Sequence, residues 1–273
     1  MKTKKWITYT IYGVLITAIF LYVRFPSDSA GRYIKSIVEG DNPNVVLLID
    51  SVKPCLLPGI RLGNIEIGFR DKPDLILRMS ALKLRPAIIN LFTGKLTLLL
   101  NANAYEGRLK ADIGFANRFS RKGPVRINAG FNDISLEKCS FIKTATGREI
   151  GGRLEGTMSY NGKWDRFING TGSANIALLD GNVKLLGDIF GLNEMNFDKM
   201  EVDMTLKNRT LKINNLKMAG RQLSGSFNGD ILLNENIMRS RLAIKGDVDV
   251  HTLGKRISTT LRGTLSNPVP RFM

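Results

Sequence analysis

The sequence predicts a mainly β protein: a single N-terminal transmembrane helix followed by an elongated, curled, mostly antiparallel sheet with a few short helices. From Ile65 onward, apolar and polar residues alternate in roughly ten segments, the period of strands with one buried face. The 27 glycines, beside only 9 prolines, suit many strands joined by tight turns. Helical periodicity is too scarce for βαβ units, so the sheet is predicted to form a groove or an open barrel.

The first 24 residues predict a membrane anchor. Lysines precede an uncharged run from Trp6 to Val23, which as a helix would span roughly 27 Å, close to the hydrocarbon thickness of a bilayer. Those lysines predict a cytoplasmic N-terminus and a domain on the far side of the membrane. A cleaved signal peptide is the alternative, but no small-residue cleavage site follows the run. The anchor candidates are Trp6, Ile11, Leu15, Phe20, Val23 and Arg24.

Two regions follow the anchor. Residues 25–42 predict a short helix just outside the membrane, because apolar residues recur there at helical spacing. Residues 43–273 predict the β domain. Strand–turn–strand patterns that resemble each other predict two similar halves, at about 43–165 and 166–273. Two further short helices are predicted, one at 85–94 and one near residue 187.

The alternating segments predict one continuous apolar face. Too few helices are predicted to cover it, and apolar patches of several hundred square ångströms usually bind something. We therefore expect an apolar groove on the concave side and polar, basic residues on the outer side. The candidate groove residues are Leu96, Leu98, Leu100, Leu154, Met158, Tyr160, Val202, Met204 and Leu206.

The stretch GGRLEGTMSY, residues 151–160, predicts a turn and a strand rather than a phosphate-binding loop. A phosphate loop joins a strand to a helix, whose N-terminal amides point at the anion, and in nucleotide-binding proteins it often ends in Lys-Ser or Lys-Thr. Here an alternating strand follows instead. Similar stretches elsewhere predict that glycines form the corners of repeated hairpins. These turn glycines are Gly107, Gly152, Gly156, Gly225 and Gly263.

The net charge of +16 predicts an anionic partner, such as a membrane surface or an acidic protein. Nucleic acid is not expected, because the sequence has no zinc-ligand spacing, helix-turn-helix pattern or aromatic stacking motif. Basic residues alternate with apolar ones along the strands. This pattern fits either a solvated face or one that lies against anionic lipid headgroups.

No group of residues predicts catalysis, a metal site or a cofactor. His251 is the one histidine, and no G-x-S-x-G nucleophile motif is present. Glu201 and Asp203 would share the polar face of a strand, which is the usual place for such carboxylates. Cys55 and Cys139 form either one disulfide or two separate core residues. The sequence therefore predicts a protein that is not an enzyme.

Several stretches resemble known envelope proteins. RFPSDSAGRYIKSIV, LLPGIRLGNIEIGF and the segment from Leu75 to Ile113 resemble the type II secretion system protein N family. The C-terminal stretches from Phe197 to Leu233 and from Leu261 to Phe272 resemble the AsmA-type periplasmic repeat proteins. The residues that match the first family are Pro58, Gly59, Leu62, Leu91, Gly94, Gly107 and Leu109.

The first resemblance implies a single-pass inner-membrane protein with a cytoplasmic N-terminus and a periplasmic β domain. It also implies an accessory, non-enzymatic role in type II protein secretion, in which a basic face or a free sheet edge meets other envelope proteins. The AsmA-type resemblance implies the alternative, a curled sheet whose apolar groove binds or transfers lipid. Neither resemblance supplies catalytic residues.

Overall fold

The fold was analysed in a computed structural model that describes residues 2–55, 58–92, 94–116, 123–146, 149–189, 192–251 and 254–272. The strands are β1 (Val45–Pro54), β2 (Ile60–Phe69), β3 (Lys72–Pro86), β4 (Leu96–Ala104), β5 (Gly107–Phe115), β6 (Pro124–Ser135), β7 (Ile150–Lys163), β8 (Thr171–Ile189), β9 (Leu192–Lys207), β10 (Thr210–Ala219), β11 (Leu223–Leu232), β12 (Arg241–Val250), β13 (Lys255–Thr264) and β14 (Asn267–Phe272). The helices are α1 (Lys2–Val23), α2 (Ser27–Asp41), α3 (Ile88–Phe92) and α4 (Ser140–Thr146), with 3₁₀ helices at Trp164–Asn169 and Ile237–Arg239.

Every strand pairs with its neighbours in sequence, and all the pairs are antiparallel. The result is one 14-stranded sheet in the order β1 to β14, with β1 and β14 as its two free edges. The sheet is therefore open, and the mainly β, antiparallel prediction is confirmed. The solvent-accessible surface of the whole chain, of mass 30.3 kDa, is 18191 Å². A compact monomer of that mass would expose roughly 12,000 Å². The sheet also runs unbroken through the predicted boundary between two halves, where β7 pairs with β8.

The N-terminal segment is helical as predicted, but its role as a membrane span finds no support. Among the described residues, no helix is both long and apolar enough to cross a membrane. Along α1, Trp6, Phe20 and Val23 are exposed, and the Arg24 guanidinium lies 5.7 Å from the centre of the Phe20 ring. The side chains of two other anchor candidates, Ile11 and Leu15, lie outside the described part.

Helix α2 confirms the helix predicted at 25–42 and covers the apolar side of β1–β3. Its Ile34 and Val38 pack on a buried cluster of Leu47, Val52, Leu62 and Ile65. The helix runs antiparallel to β1. Near its end, Glu39 Oε1 accepts a hydrogen bond of 3.0 Å from the N–H of Leu47. Near its start, Gly31 lies against Val52, further along the same strand.

Helix α4 packs beside β3, where the Thr144 hydroxyl donates a hydrogen bond of 3.4 Å to the Asp74 carbonyl. Ile142 contacts a buried cluster formed by Leu136, Leu178, Phe197, Met218 and Leu223. Nearby, the Tyr105 hydroxyl accepts a hydrogen bond of 2.9 Å from the N–H of Arg78. Burial raises the pKa of the Tyr105 phenol.

Several local predictions are corrected by the structure. Residues near 187 belong to strand β8 and not to a helix, whereas the helix predicted at 85–94 is present as α3. Of the five predicted turn glycines, Gly152, Gly156, Gly225 and Gly263 lie within strands instead of turns, whereas Gly107 is the first residue of β5 and closes a turn by pairing with Ala104. The turn before Gly107 is formed by Tyr105 and Glu106, which adopt φ of 49° and 66°.

Gly156 shows why a strand needs a glycine at this position. It pairs with Phe131 of β6 and Ile176 of β8, and its φ is +155°. A Cβ atom there would lie 2.3 Å from the carbonyl oxygen of Asn175 and 3.1 Å from the Phe131 ring. The glycine therefore leaves room for an aromatic ring to lie across the sheet surface. Gly246 is similarly placed under the ring of Phe227.

We predict that Gly156→Ala lowers the free energy of unfolding by about 2–4 kcal/mol, because the new methyl group meets backbone atoms of β8. Urea unfolding of the full chain measures this change. Gly130→Ala is the matched control, since a Cβ at Gly130 has no neighbour nearer than 3.8 Å. An equal loss of stability in both variants would contradict the explanation.

Candidate functional site

The candidate site is the apolar face of the sheet. Directly paired residues of antiparallel strands point to the same side, so the register defines rows that cross the sheet. One row crosses twelve of the strands with small or apolar residues throughout. It consists of Leu84, Leu100, Ala111, Ala129, Met158, Ala174, Met204, Ile213, Gly229, Ile244, Leu261 and Pro270.

The register places all nine predicted groove residues on this apolar face. Leu100, Met158 and Met204 belong to the row above. Leu98, Tyr160 and Leu206 belong to the next row, and Leu96 to the row beyond it. Val202 lies in the row of Phe131 and Gly156, and Leu154 is paired with Leu178.

Most of this face is neither fully buried nor fully exposed. Eight of the nine predicted residues are half-buried, and Tyr160 is buried with 2% of its surface exposed. Tyr160 stacks on Phe167, with 4.1 Å between ring centres, and its hydroxyl donates to the Phe167 carbonyl at 3.0 Å. Rows of partly accessible apolar side chains on one side of an open sheet can receive an apolar ligand.

The opposite face is polar. One of its rows contains Asn128, Ser159, Ser173, Thr205 and Lys212, and the Ser159 and Ser173 hydroxyls are 2.9 Å apart.

A depression of about 480 Å³ lies on the polar face. It is bordered by Glu201 and Asp203, which share the polar face as predicted. The Glu201 carboxylate pairs with Lys199 at 2.6 Å, and Asp203 accepts a hydrogen bond from Asn214. No group of three metal-ligand side chains occurs within the described ranges.

The two rims of the sheet differ in charge. We call the described residues of the connections that follow β2, β4, β6, β8, β10 and β12, with adjoining strand residues, the paired rim. Several of its charges form ion pairs, and in one of them Glu149 lies 2.6 Å from Lys143 and 2.5 Å from Lys184. Hydrogen bonds from Lys143 and then from Lys184 hold the pKa of Glu149 at about 2, below its ordinary value of 4.5. Arg153 bridges Asp133 and Asp180 in the same way.

The structure also forms three contacts of His251 that the sequence could not reveal. His251 Nε2 lies 3.0 Å from the Ser224 hydroxyl, and its Nδ1 lies 3.1 Å from the Arg221 carbonyl. The backbone N–H of His251 donates to Gln222. No carboxylate is among the described partners of His251. The contacts therefore tie the β10–β11 and β12–β13 connections together rather than forming a catalytic triad.

The two cysteines are free thiols on opposite rims. Cys55 follows β1 and is half-buried, whereas Cys139 follows β6 and is buried. Of the two alternatives left by the sequence, the structure therefore shows separate residues and not a disulfide.

Comparison of the chain with protein-family models, with curated proteins and with solved structures finds no match. The two family resemblances are therefore neither supported nor opposed by a related protein.

We predict that Glu149→Gln lowers the melting temperature at pH 7, because both lysines lose their shared carboxylate. The low folded-state pKa means that this stabilisation is present above pH 4.5 and is lost as the pH falls towards about 2. Melting curves of both proteins between pH 2 and 7 measure the difference. Glu235→Gln is the control, because this exposed carboxylate has no ion pair among the described residues. A difference that persists unchanged at pH 2 would contradict the assignment.

Proposed function

We propose that the protein is a lipid-binding component of the cell envelope, which holds acyl chains on the apolar face of its open sheet. The observation that carries the proposal is the continuity of this face across β3 to β14. A face that crosses the strands suits a long, flexible, apolar ligand better than a compact one. Among the described residues, its side chains offer no pattern of polar groups that would orient a small polar substrate.

The energetics favour an acyl chain as the occupant. Each methylene group removed from water contributes about 0.8 kcal/mol, so a ten-carbon segment gains roughly 8 kcal/mol before the cost of ordering it. Methionine side chains such as Met158, Met200 and Met204 adapt their shape at low cost, which suits ligands of variable length. Glycines in the rows keep parts of the surface low enough for a chain to lie against the sheet.

We also propose that the protein acts at a membrane, with its N-terminal helix α1 as the point of attachment. The proposal rests on the uncharged run of α1 and on its exposed aromatic residues, Trp6, Tyr9 and Tyr12. Residues of this kind are favoured at membrane interfaces. The inner membrane, with a periplasmic β domain, is the location that the family resemblances imply.

An accessory role in type II secretion is the second proposal, and it rests on the resemblance to the protein N family. Strand addition at the sheet edges is not favoured by the geometry. At β1, the N–H of Leu47 is already bonded to Glu39. At β14, Pro268 and Pro270 pair with Gly263 and Leu261 and lack the N–H that an added strand would need. A deletion strain that secretes all of its exoproteins normally would contradict this role.

The lipid-binding proposal predicts that a photo-reactive group captures lipid on one face of strand β7 and not on the other. A photo-reactive benzoylphenylalanine at Met158 points to the apolar face, whereas one at Thr157 points to the polar face. We expect ultraviolet light to attach phospholipid to the full-length protein at position 158 and not at position 157, in cells whose lipids carry radioactive phosphate. Mass spectrometry of the adduct identifies the lipid.

Equal melting temperatures of the two substituted proteins provide the control for folding. Lipid captured equally at both positions would indicate non-specific contact and would contradict the proposal. Capture of a polypeptide alone at position 158 would instead favour the secretion role.

A further inference from the structure

The rim opposite the paired rim carries unpaired positive charge. This basic rim consists of the described residues of the connections that follow β1, β3, β5, β7, β9, β11 and β13, with two residues of each flanking strand. None of its exposed lysines and arginines forms an ion pair or a side-chain hydrogen bond within the described part of the chain. Glu235 is the one acidic side chain described there. The exposed cations include Lys95, Lys163, Arg166, Lys207, Arg209 and Arg239.

The same rim presents exposed apolar side chains on short helical segments. Ile89 of α3 is 79% exposed, Phe167 of the first 3₁₀ helix 44%, and Ile237 of the second 3₁₀ helix 61%. On the paired rim, no large apolar residue among those described is exposed. Large apolar residues at the tips of loops are costly in water unless another surface covers them.

Helix α1 leaves the domain on the side of the basic rim. Because α2 runs antiparallel to β1, its first residue, Ser27, lies towards Val52 and Lys53 at the end of β1. Phe25 packs in the cluster beneath α2, and α1 ends just before it at Val23. The end of α1 and the exposed apolar tips therefore lie at the same rim of the sheet.

We propose that the basic rim docks edge-on against a lipid bilayer that contains anionic phospholipids. The apolar tips of α3 and the two 3₁₀ helices enter the interfacial region, and the flanking lysines and arginines bind the phosphate headgroups. Apolar tips beside basic residues favour a membrane over nucleic acid as the partner. A polyanion in water offers no apolar phase for Ile89 and Ile237. The paired rim then faces away from the membrane.

This docking is independent of whether the apolar face binds lipid. It requires only the rim residues, whereas the proposed lipid binding requires residues such as Met158 and Met204 in the middle of the strands. If both hold, the apolar face meets the bilayer at its rim, where an acyl chain could pass between them without crossing water.

The experiment places an environment-sensitive fluorophore at single cysteines of the full-length protein mixed with vesicles. The Cys55→Ser variant is the background protein for these substitutions. If this variant takes up no label, the buried Cys139 does not react. Labels at Ile89→Cys and Ile237→Cys report on the basic rim, and a label at Asp71→Cys reports on the paired rim. Vesicles contain phosphatidylcholine alone or with one-third phosphatidylglycerol, and spin-labelled lipids serve as quenchers.

We expect quenching at positions 89 and 237 in the anionic vesicles, little in phosphatidylcholine, and none at position 71 in either. A lysine or arginine near an anionic surface contributes about fivefold to binding. Lys207→Gln with Arg209→Gln should therefore weaken docking roughly 25-fold and bring quenching at position 89 close to the level at position 71. Added salt should weaken docking as well.

The matched control is Arg70→Gln with Lys72→Gln, which removes the same charge from a hairpin on the paired rim. Docking by the basic rim requires that this control leave quenching at position 89 unchanged. An equal effect of the two double substitutions, equal quenching at positions 71 and 89, or equal quenching in both vesicle types would overturn the proposal. Shielding of the rim labels by an added acidic protein, but not by vesicles, would overturn it in favour of a protein partner.

Discussion

Pairing between strands that are neighbours in sequence is the constraint on which the other features depend. With period-two alternation, a slip of one residue in any pair would turn every following side chain to the other face. The sheet nevertheless keeps one apolar side across its strands, even where a strand has an extra residue. At such a point in β6, Asp133 adopts φ of 59° and returns Ile134 to the same side as Phe131.

Glycine and aromatic residues adjust the height of the apolar surface. Aromatic rings beside glycines of a neighbouring strand recur, as in the pairs Phe131 with Gly156 and Phe227 with Gly246. The ring occupies the volume that a side chain on the neighbouring strand would fill, so the surface stays apolar without becoming crowded. The stretch GGRLEGTMSY is therefore a piece of this surface, with its glycines inside β7.

The distribution of charge gives the sheet a direction. On the paired rim, groups such as Glu149 with Lys143 and Lys184 neutralise one another. On the basic rim, lysines and arginines stand beside exposed apolar tips with no partner among the described residues. Each free edge is also blunted, at β1 by the bond to Glu39 and at β14 by prolines. Together these features make the apolar face and the basic rim the candidate binding surfaces.

The amino-acid sequence by itself determined most of the strands, their antiparallel arrangement and the membership of the apolar face. These follow from alternation, which is local, and so Met158 and Met204 could be assigned to one face without a structure. Only the tertiary structure decided that the sheet stays open, that Gly152 and Gly156 lie inside strands, and that Ser224 meets His251. It also decided which charges are paired, because residues such as Lys184 and Glu149 meet only once the register between strands is set.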